Sequence, residues 1–267
     1  MEAVLCHGDF TVRKVLKNKP LVEAIFELRW ELQKRGTSEG SIDPYYRILA
    51  GTMYNKAKEE YPYLELLPAA NIPENLIPYA VQQRFRKGKD EWPLIQVGQG
   101  IVALNDTNGY IWEDFSKRIS YLVNILFDSY PRPDELITNL LMLRYIDSIE
   151  FDYSANNTFK LLREKMKIDV NIDPKLFENT EIESTPIGLN LSYSFRCSNP
   201  VGLMELKIET GKRNGKNVLT WQTVFRSSGK DSPKTKESIE EWLVNAHNLT
   251  DDWFFKIIEG DLLKEFE

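Results

Sequence analysis

The sequence predicts an α+β protein: a tandem pseudo-repeat of a β-α-β-β-β-α unit, with antiparallel sheets and long helices packed on one face. Segments of alternating apolar residues, separated by short breaks that contain Gly or Asn, predict hairpins. Longer segments with apolar residues at helical spacing follow each group of predicted strands. The order of these elements is the same in both halves of the chain, although the halves share no clear residue identity.

The first copy of the unit spans residues 20–133. A strand over 21–30 follows Pro20, and Asp43-Pro44 opens a helix because proline suits the first helical turn. A helix over 111–130 with one apolar stripe ends the copy. Between the two helices come three predicted strands, over 79–86, 93–98 and 101–104.

The second copy spans residues 134–267. It begins with a strand over 141–151 and a helix over 158–167. The final helix is expected to start with Ser232 as its N-cap and Pro233 in its first turn. Three predicted strands lie between these helices, over 189–196, 202–209 and 218–225.

An N-terminal extension over residues 1–19 is predicted to precede the two copies, which are expected to pack as one compact unit. The whole chain has 267 residues, a length that can bury a sizeable core. A duplicated unit creates an internal interface, and clefts commonly form at such junctions. We therefore expect a ligand site at the junction of the copies rather than at an isolated motif.

Composition and charge limit the possible classes of protein. Hydrophobic residues make up 42% of the chain and charged residues 28%, which is typical of a globular protein. The two cysteines are far apart in sequence and predict no disulfide framework, which fits a cytoplasmic location. No stretch approaches the ~20 apolar residues of a membrane span, and no membrane association is expected. The net charge of −6 disfavours binding to a nucleic-acid duplex.

Several segments resemble a known family of about this length, the sporadically distributed bacterial and archaeal 04255 family, whose function is not established. The family has no assigned catalytic residues, so the resemblance implies none for this chain. Its scattered occurrence is typical of genes that travel with mobile or phage-defence loci, which implies such a setting here. The segments that carry the resemblance are 20–30, 94–100, 104–106, 110–115 and 143–147, together with Ala246-His247 and Phe254 in the last helix.

Motifs for cofactors and metals are missing from the sequence. Gly98-Gln-Gly100 lacks the third glycine and the following helix of a dinucleotide site, so it predicts a hairpin turn. The segment 211–215 lacks the Lys-Ser/Thr end of a phosphate loop and also predicts a hairpin turn. No Cys or His pair has the spacing of zinc ligands. We therefore expect no cofactor and no metal site.

Histidine is scarce, because His7 and His247 are the only two in the chain. His247 is a candidate catalytic residue: on a helix it can meet Asp251, which would steer it as a general base. The alternative is a half-buried histidine that packs on Leu243 and Phe254. We favour the alternative, because no nucleophile is spaced to accompany His247.

Two aspartates are further catalytic candidates. Asp106 ends a predicted strand, and Asp147 falls by alternation on the aromatic, partly apolar face of its strand. A carboxylate there is either a buried functional acid or the partner of a basic residue such as Arg29 or Arg196. We favour the ion pair, because buried acids are normally compensated.

The turn before the second helix is a candidate binding site, formed by Asn105, Asp106, Tyr110 and Trp112. Ligands are often bound where a strand leads into a helix N-terminus, since backbone N–H groups converge there. The alternative is a capped turn, with residue 107 or 108 as the N-cap and the aromatic residues in the core. We favour the capped turn.

Basic residues at two predicted hairpin tips form a candidate cationic patch: Arg84, Arg86, Lys87, Lys212 and Arg213. If the two tips lie on one edge, the patch suits single-stranded nucleic acid. The alternative is that the tips are charged only because they are solvated, and this is the interpretation we favour.

The sequence thus favours a non-catalytic binding or interaction protein, such as an accessory, sensor or antitoxin-like component of a defence locus, with another protein as its partner. The alternative is an enzyme, either a hydrolase or a nucleotide-acting protein, with a site of scattered acids and His247 at the junction of the copies. Convergence of Asp106, Asp147 or His247 in one pocket would favour the enzyme.

Overall fold

The computed structural model describes residues 16–34, 40–107 and 109–267. Most of the predicted N-terminal extension, including His7, lies outside the described residues, and so does the candidate N-cap Asn108.

A single antiparallel sheet of nine strands contains strands from both halves of the chain. Its order across the sheet is β4-β5-β6-β7-β1-β8-β11-β10-β9, and β1 pairs with β8 at the point where the two halves meet. A separate ribbon contains β2 (Gln33–Lys34) and β3 (Ser41–Ile42). The nine strands are β1 (Leu21–Trp30), β4 (Tyr63–Leu66), β5 (Val81–Arg86), β6 (Leu94–Gly98), β7 (Ile101–Asp106), β8 (Thr138–Glu150), β9 (Asn190–Ser198), β10 (Val201–Arg213) and β11 (Lys216–Ser228).

Helices cover one face of this sheet. Along β1, Ala24, Phe26, Leu28 and Trp30 are fully buried toward the helices, while the residues between them are half-buried on the opposite, open face. The alternation of a strand therefore separates a helix-covered face from an open one. The helices are α1 (Tyr46–Ala57), α2 (Trp112–Ser129), α3 (Thr158–Met166), α4 (Lys236–Ile258) and α5 (Asp261–Phe266).

The core beneath the helices consists of two hydrophobic clusters. The first contains residues of α1, α2 and the start of α4 packed on β1, β5, β6, β7 and β8. The second contains residues of α3, α5 and the end of α4 packed on β10 and β11. Trp253 of α4 contacts both clusters, so α4 bridges the two halves of the sheet.

The predicted hairpin turns are confirmed. Gly100 has a φ of +75° between β6 and β7, a conformation that glycine adopts without steric cost. Between β10 and β11, Asn214 and Gly215 have φ values of +51° and +79°. Positive φ at both central residues is the requirement of a type I′ turn, which Asn-Gly satisfies.

Two local predictions are wrong. The proline-rich connection between the first helix and the strand predicted over 79–86, where no strand was predicted, contains the edge strand β4, which pairs with β5 through Leu64 and Phe85. The N-cap of α4 is Thr235 and not Ser232: the Thr235 hydroxyl accepts from the Ser238 N–H, and the Ser238 hydroxyl bonds back to Thr235. This reciprocal capping box satisfies two backbone groups, which Ser232 cannot do from its position.

We expect Thr235→Ala to lower the free energy of unfolding by about 1 kcal/mol, because an N–H at the start of α4 loses its acceptor. Ser232→Ala is the matched control. The buried Ser232 hydroxyl has no hydrogen-bond partner in the described part of the chain, so its removal should cost little. Urea denaturation of both variants measures the difference, and an equal loss in both would contradict the assignment of the cap.

Candidate functional site

A cavity of about 270 Å³ lies beneath α4, at the start of β1 and α2 and above β8 and β11. This volume corresponds to roughly nine water molecules in the liquid, so the cavity suits a small molecule. Its aromatic walls are Tyr110, Trp112, Tyr145, Phe254 and Phe255.

The cavity is formed where the two hydrophobic clusters meet. Tyr110, Trp112 and Tyr145 pack against the first cluster, whereas Phe254 and Phe255 pack against the second. Tyr110 and Trp112 belong to the first half of the chain, and Tyr145, Phe254 and Phe255 belong to the second, so the walls of the cavity come from both halves.

A chain of hydrogen bonds runs along one wall of the cavity. The Tyr110 hydroxyl donates to the Tyr145 hydroxyl at 3.0 Å, and the Tyr145 oxygen lies 2.9 Å from Nδ1 of His247. The donor and the acceptor in the contact between Tyr145 and His247 depend on which ring nitrogen of His247 carries the proton. Trp112 stacks on the imidazole with 3.6 Å between ring centroids and an interplanar angle of 12°.

Asp147 provides a carboxyl group to the cavity from β8. The residue is only 2% exposed, and its Oδ2 has no hydrogen-bond partner among the described residues. Burial penalises the charged form, and this raises the pKa of Asp147 to about 8. The carboxyl group is therefore mostly protonated at neutral pH.

Another buried acid of the same protein, Asp43, shows how the fold normally compensates such a group. Asp43 is 3% exposed, but it accepts hydrogen bonds from the Trp30 indole at 2.8 Å, the Tyr45 backbone N–H at 2.8 Å and the Tyr130 hydroxyl at 3.2 Å. Three donors thus satisfy Asp43 inside the first cluster. Asp147 has no comparable set in the described part of the chain.

Two polar groups of β11 accompany Asp147 on the helix-covered face. Trp221 is the direct cross-strand partner of Asp147, and Thr223 is the partner of Tyr145. Within the described ranges, the Trp221 indole N–H and the Thr223 hydroxyl are buried without a hydrogen-bond partner. Buried polar atoms are nearly always paired, and of these groups Asp147 and Thr223 line the cavity, where a polar ligand can pair with them.

The predicted ion pair of Asp147 with Arg29 or Arg196 is wrong. Arg29 lies on the open face and pairs with Glu27 at 2.6 Å, and the exposed Arg196 also lies on the open face, in register with Leu203. Asp147 lies on the opposite, helix-covered face. No side chain can reach it through the sheet.

The structure separates the four residues that were predicted to form a binding site at the turn before α2. Tyr110 and Trp112 line the cavity. Asn105 lies on the open face, where its side chain bonds Gln96 and Glu23. The neighbouring residue Asp106 therefore faces the helices.

Asp106 does not line the cavity. It is buried, its Oδ1 accepts the Thr107 N–H, and burial raises its pKa. Of the three catalytic candidates, the structure thus brings Asp147 and His247 together and leaves Asp106 apart. The predicted side-chain N-cap of α2 is not seen at the position before Trp112, where Ile111 has no side chain that can cap.

The basic residues of the proposed cationic patch form two separate groups. Arg84 and Arg86 belong to β5, followed by Lys87, and Lys212 and Arg213 belong to β10. Five strands lie between β5 and β10, which places the groups roughly 29 Å apart at about 4.8 Å per strand. Both arginines of β5 also pair with Glu65.

Among residues 16–34, 40–107 and 109–267, no cluster of three His, Cys, Asp or Glu could hold a metal ion. In the same ranges no helix is both long enough and apolar enough to cross a bilayer.

No model of a known protein family matches the sequence, and a search of curated proteins gives no significant match. The resemblance to the 04255 family therefore stays a prediction.

We expect Asp147→Asn to change the pH dependence of stability. The pKa of Asp147 is about 8 in the folded protein against an ordinary value of 3.8, so the folded state holds the proton more tightly. Its stabilising contribution is complete below about pH 4 and is lost as the pH rises to about 8, by up to ~1.4 kcal/mol per pH unit. Because the side chain of Asp147→Asn is neutral at every pH, the stability of this variant should not show this decrease between about pH 4 and pH 8. Urea denaturation at a series of pH values measures the difference from wild type.

Asp43→Asn is the matched control for a buried acid. The amide nitrogen of the new side chain would face an N–H or O–H donor in place of an acceptor. We therefore expect Asp43→Asn to lower the free energy of unfolding by about 1–3 kcal/mol at neutral pH. If the difference between wild type and Asp147→Asn does not change with pH, the burial of an unpaired carboxyl group is contradicted.

Proposed function

We propose that this protein binds a small molecule in the cavity at the junction of its two halves, without transforming it. The observation that carries this proposal is the buried, unpartnered carboxyl group of Asp147 at an aromatic cavity. Burying such a group costs free energy, and a ligand that pairs with it recovers that cost. Aromatic walls with a few convergent polar groups are typical of small-molecule sites.

Binding is favoured over catalysis because the cavity offers no activated nucleophile among the described residues. It has no Ser or Cys in its described lining. The Thr250 hydroxyl donates to main-chain carbonyl groups of its own helix, those of Ala246 and His247. A sensor or accessory role, as the sequence predicted, fits a site of this kind.

One observation favours an enzyme as the second candidate. Asp147 and His247 line the same cavity. A carboxyl group with a pKa near 8 and an imidazole ring are suited to proton transfer near neutral pH, as general acid and general base. Perturbed pKa values of this kind cluster at functional sites.

We also propose that the two halves are copies of one unit. Outward from β1 the sheet order is β7, β6, β5, and outward from β8 it is β11, β10, β9. In each half the first strand thus pairs with the last strand of the same half. The short strands β2, β3 and β4 belong to the first half alone, and we interpret them as additions to the unit.

A partner protein, a cytoplasmic location and a role in a defence locus stay predictions from the sequence.

We expect Thr223→Phe to weaken ligand binding, because the new ring enters the cavity from the floor of the sheet. Thr220→Phe, on the same strand but on the open face, is the matched control. A thermal-shift screen of small metabolites measures both. A ligand should raise the melting temperature of wild type and Thr220→Phe and have at least roughly tenfold weaker affinity for Thr223→Phe, a loss of ~1.4 kcal/mol.

The same ligand distinguishes the two candidate functions. Incubated with the protein and recovered for mass spectrometry, it should be chemically unchanged. Conversion that depends on Asp147 and His247 would establish the enzyme instead. If every hit binds Thr223→Phe as tightly as wild type, the cavity is not the site.

A further inference from the structure

The chemical class of the ligand follows from the charges and surfaces around the cavity, and this inference rests on the proposed function. The described lining contains three carboxyl groups, Asp147, Glu113 and Asp251, and one ammonium group, Lys19. The Lys19 ammonium donates to the main-chain oxygen of Tyr110 at 2.8 Å, on the wall of the cavity. Glu113 and Asp251 have further interaction partners, so Asp147 is the lining acid whose Oδ2 no described residue satisfies.

The position of the Asp147 carboxyl group narrows the chemical class of the ligand further. Asp147 lies on the floor of the cavity, on the strand between β1 and β11, together with Tyr145, whereas the other aromatic rings stand on α2, on α4 and on the segment before α2. Aromatic faces carry negative electrostatic potential and attract cations. The carboxyl group offers a charged hydrogen-bond acceptor, and the rings above it offer a surface for an apolar group.

We propose that the cavity binds a small organic amine as its ammonium ion, with the ammonium group against the carboxylate of Asp147 and the apolar part between the aromatic walls. The ammonium group supplies N–H donors to Oδ2, the atom that no described residue satisfies. A hydrogen bond between charged groups is stronger than one between neutral groups, and it forms here away from bulk water. The apolar part of the ligand is buried against Phe254 and Phe255.

Binding of an ammonium ion is coupled to loss of one proton. Asp147 holds its proton below pH 8, so the carboxyl group must release it to the solvent before it can pair with the cation. The affinity should therefore rise with pH by up to about tenfold per unit until the carboxyl group is ionised. Among the described residues, the other titratable groups that face the cavity are Lys19 before β1, Tyr110 and Glu113 at the start of α2, Tyr145 of β8, and His247 and Asp251 of α4.

Three probes of similar size and shape test the class of ligand: phenethylamine, phenethyl alcohol and phenylacetate. They carry a positive, a neutral and a negative group on the same ring and linker. Isothermal titration calorimetry of the full chain at about pH 8 should give at least roughly tenfold tighter binding for the amine than for the alcohol, and no binding for the acid. Repetition in buffers with different ionisation enthalpies should show release of up to one proton with the amine and none with the alcohol.

The variant Asp147→Asn tests whether Asp147 is responsible for the preference for the amine and for the proton release. In this variant the amine should lose its advantage over the alcohol, and both proton release and the rise of affinity with pH should disappear. Asp106→Asn, which changes a buried acid outside the cavity, is the matched control and should retain proton release. Retained proton release in Asp147→Asn would assign the titration to another group and overturn the inference.

Failure of this inference is distinguishable from failure of the proposed function. If the alcohol binds as tightly as the amine, the cavity binds small molecules but not as cations, and only the inference is overturned. If none of the probes binds, the amine class is excluded, while the metabolite screen with Thr223→Phe decides whether the cavity binds ligands.

Discussion

The antiparallel pairing of β1 with β8 is the interaction on which the rest of the structure depends. It joins the two halves into one sheet, so that both hydrophobic clusters share a single surface. Its register places Asp147 opposite Leu21 and, through β11, beside Trp221. A shift of one residue would move Asp147 and Tyr145 to the open face, because strand side chains alternate. The cavity exists only in this register.

Two buried aspartates of this fold, Asp43 and Asp147, differ in their hydrogen-bond partners. Asp43 has three donors and serves to fasten α1, β1 and the end of α2 to one another. Asp147 has the same degree of burial, but its Oδ2 meets no donor in the described ranges. Replacement of such a residue by an apolar one of similar volume is often neutral or stabilising. We therefore propose that the acid at this position serves to bind a ligand, in an interaction that aromatic walls would strengthen by excluding water.

Local patterns were sufficient to predict most of the fold. The strand from Leu21 to Trp30, the helix from Trp112 and both hairpin turns are fixed by alternation, helical spacing and turn residues within short windows. The edge strand β4 was missed because four residues give little periodicity, and its pairing with β5 depends on tertiary contact. The N-cap of α4 was predicted at the wrong residue because Ser232 and Thr235, which lie three residues apart, are both residue types that commonly begin a helix.

The site was predictable only in part. Alternation placed Asp147 and Tyr145 on one face, but the register that brings Thr223 beside them is a long-range property that no window contains. The most direct test of the central claim is the titration of the Asp147 carboxyl carbon by NMR, assigned with Asp147→Asn. We predict a midpoint near pH 8 that falls when phenethylamine saturates the protein. A midpoint near the ordinary value of 3.8, unchanged by the amine, would contradict a buried, unpaired acid at a ligand site.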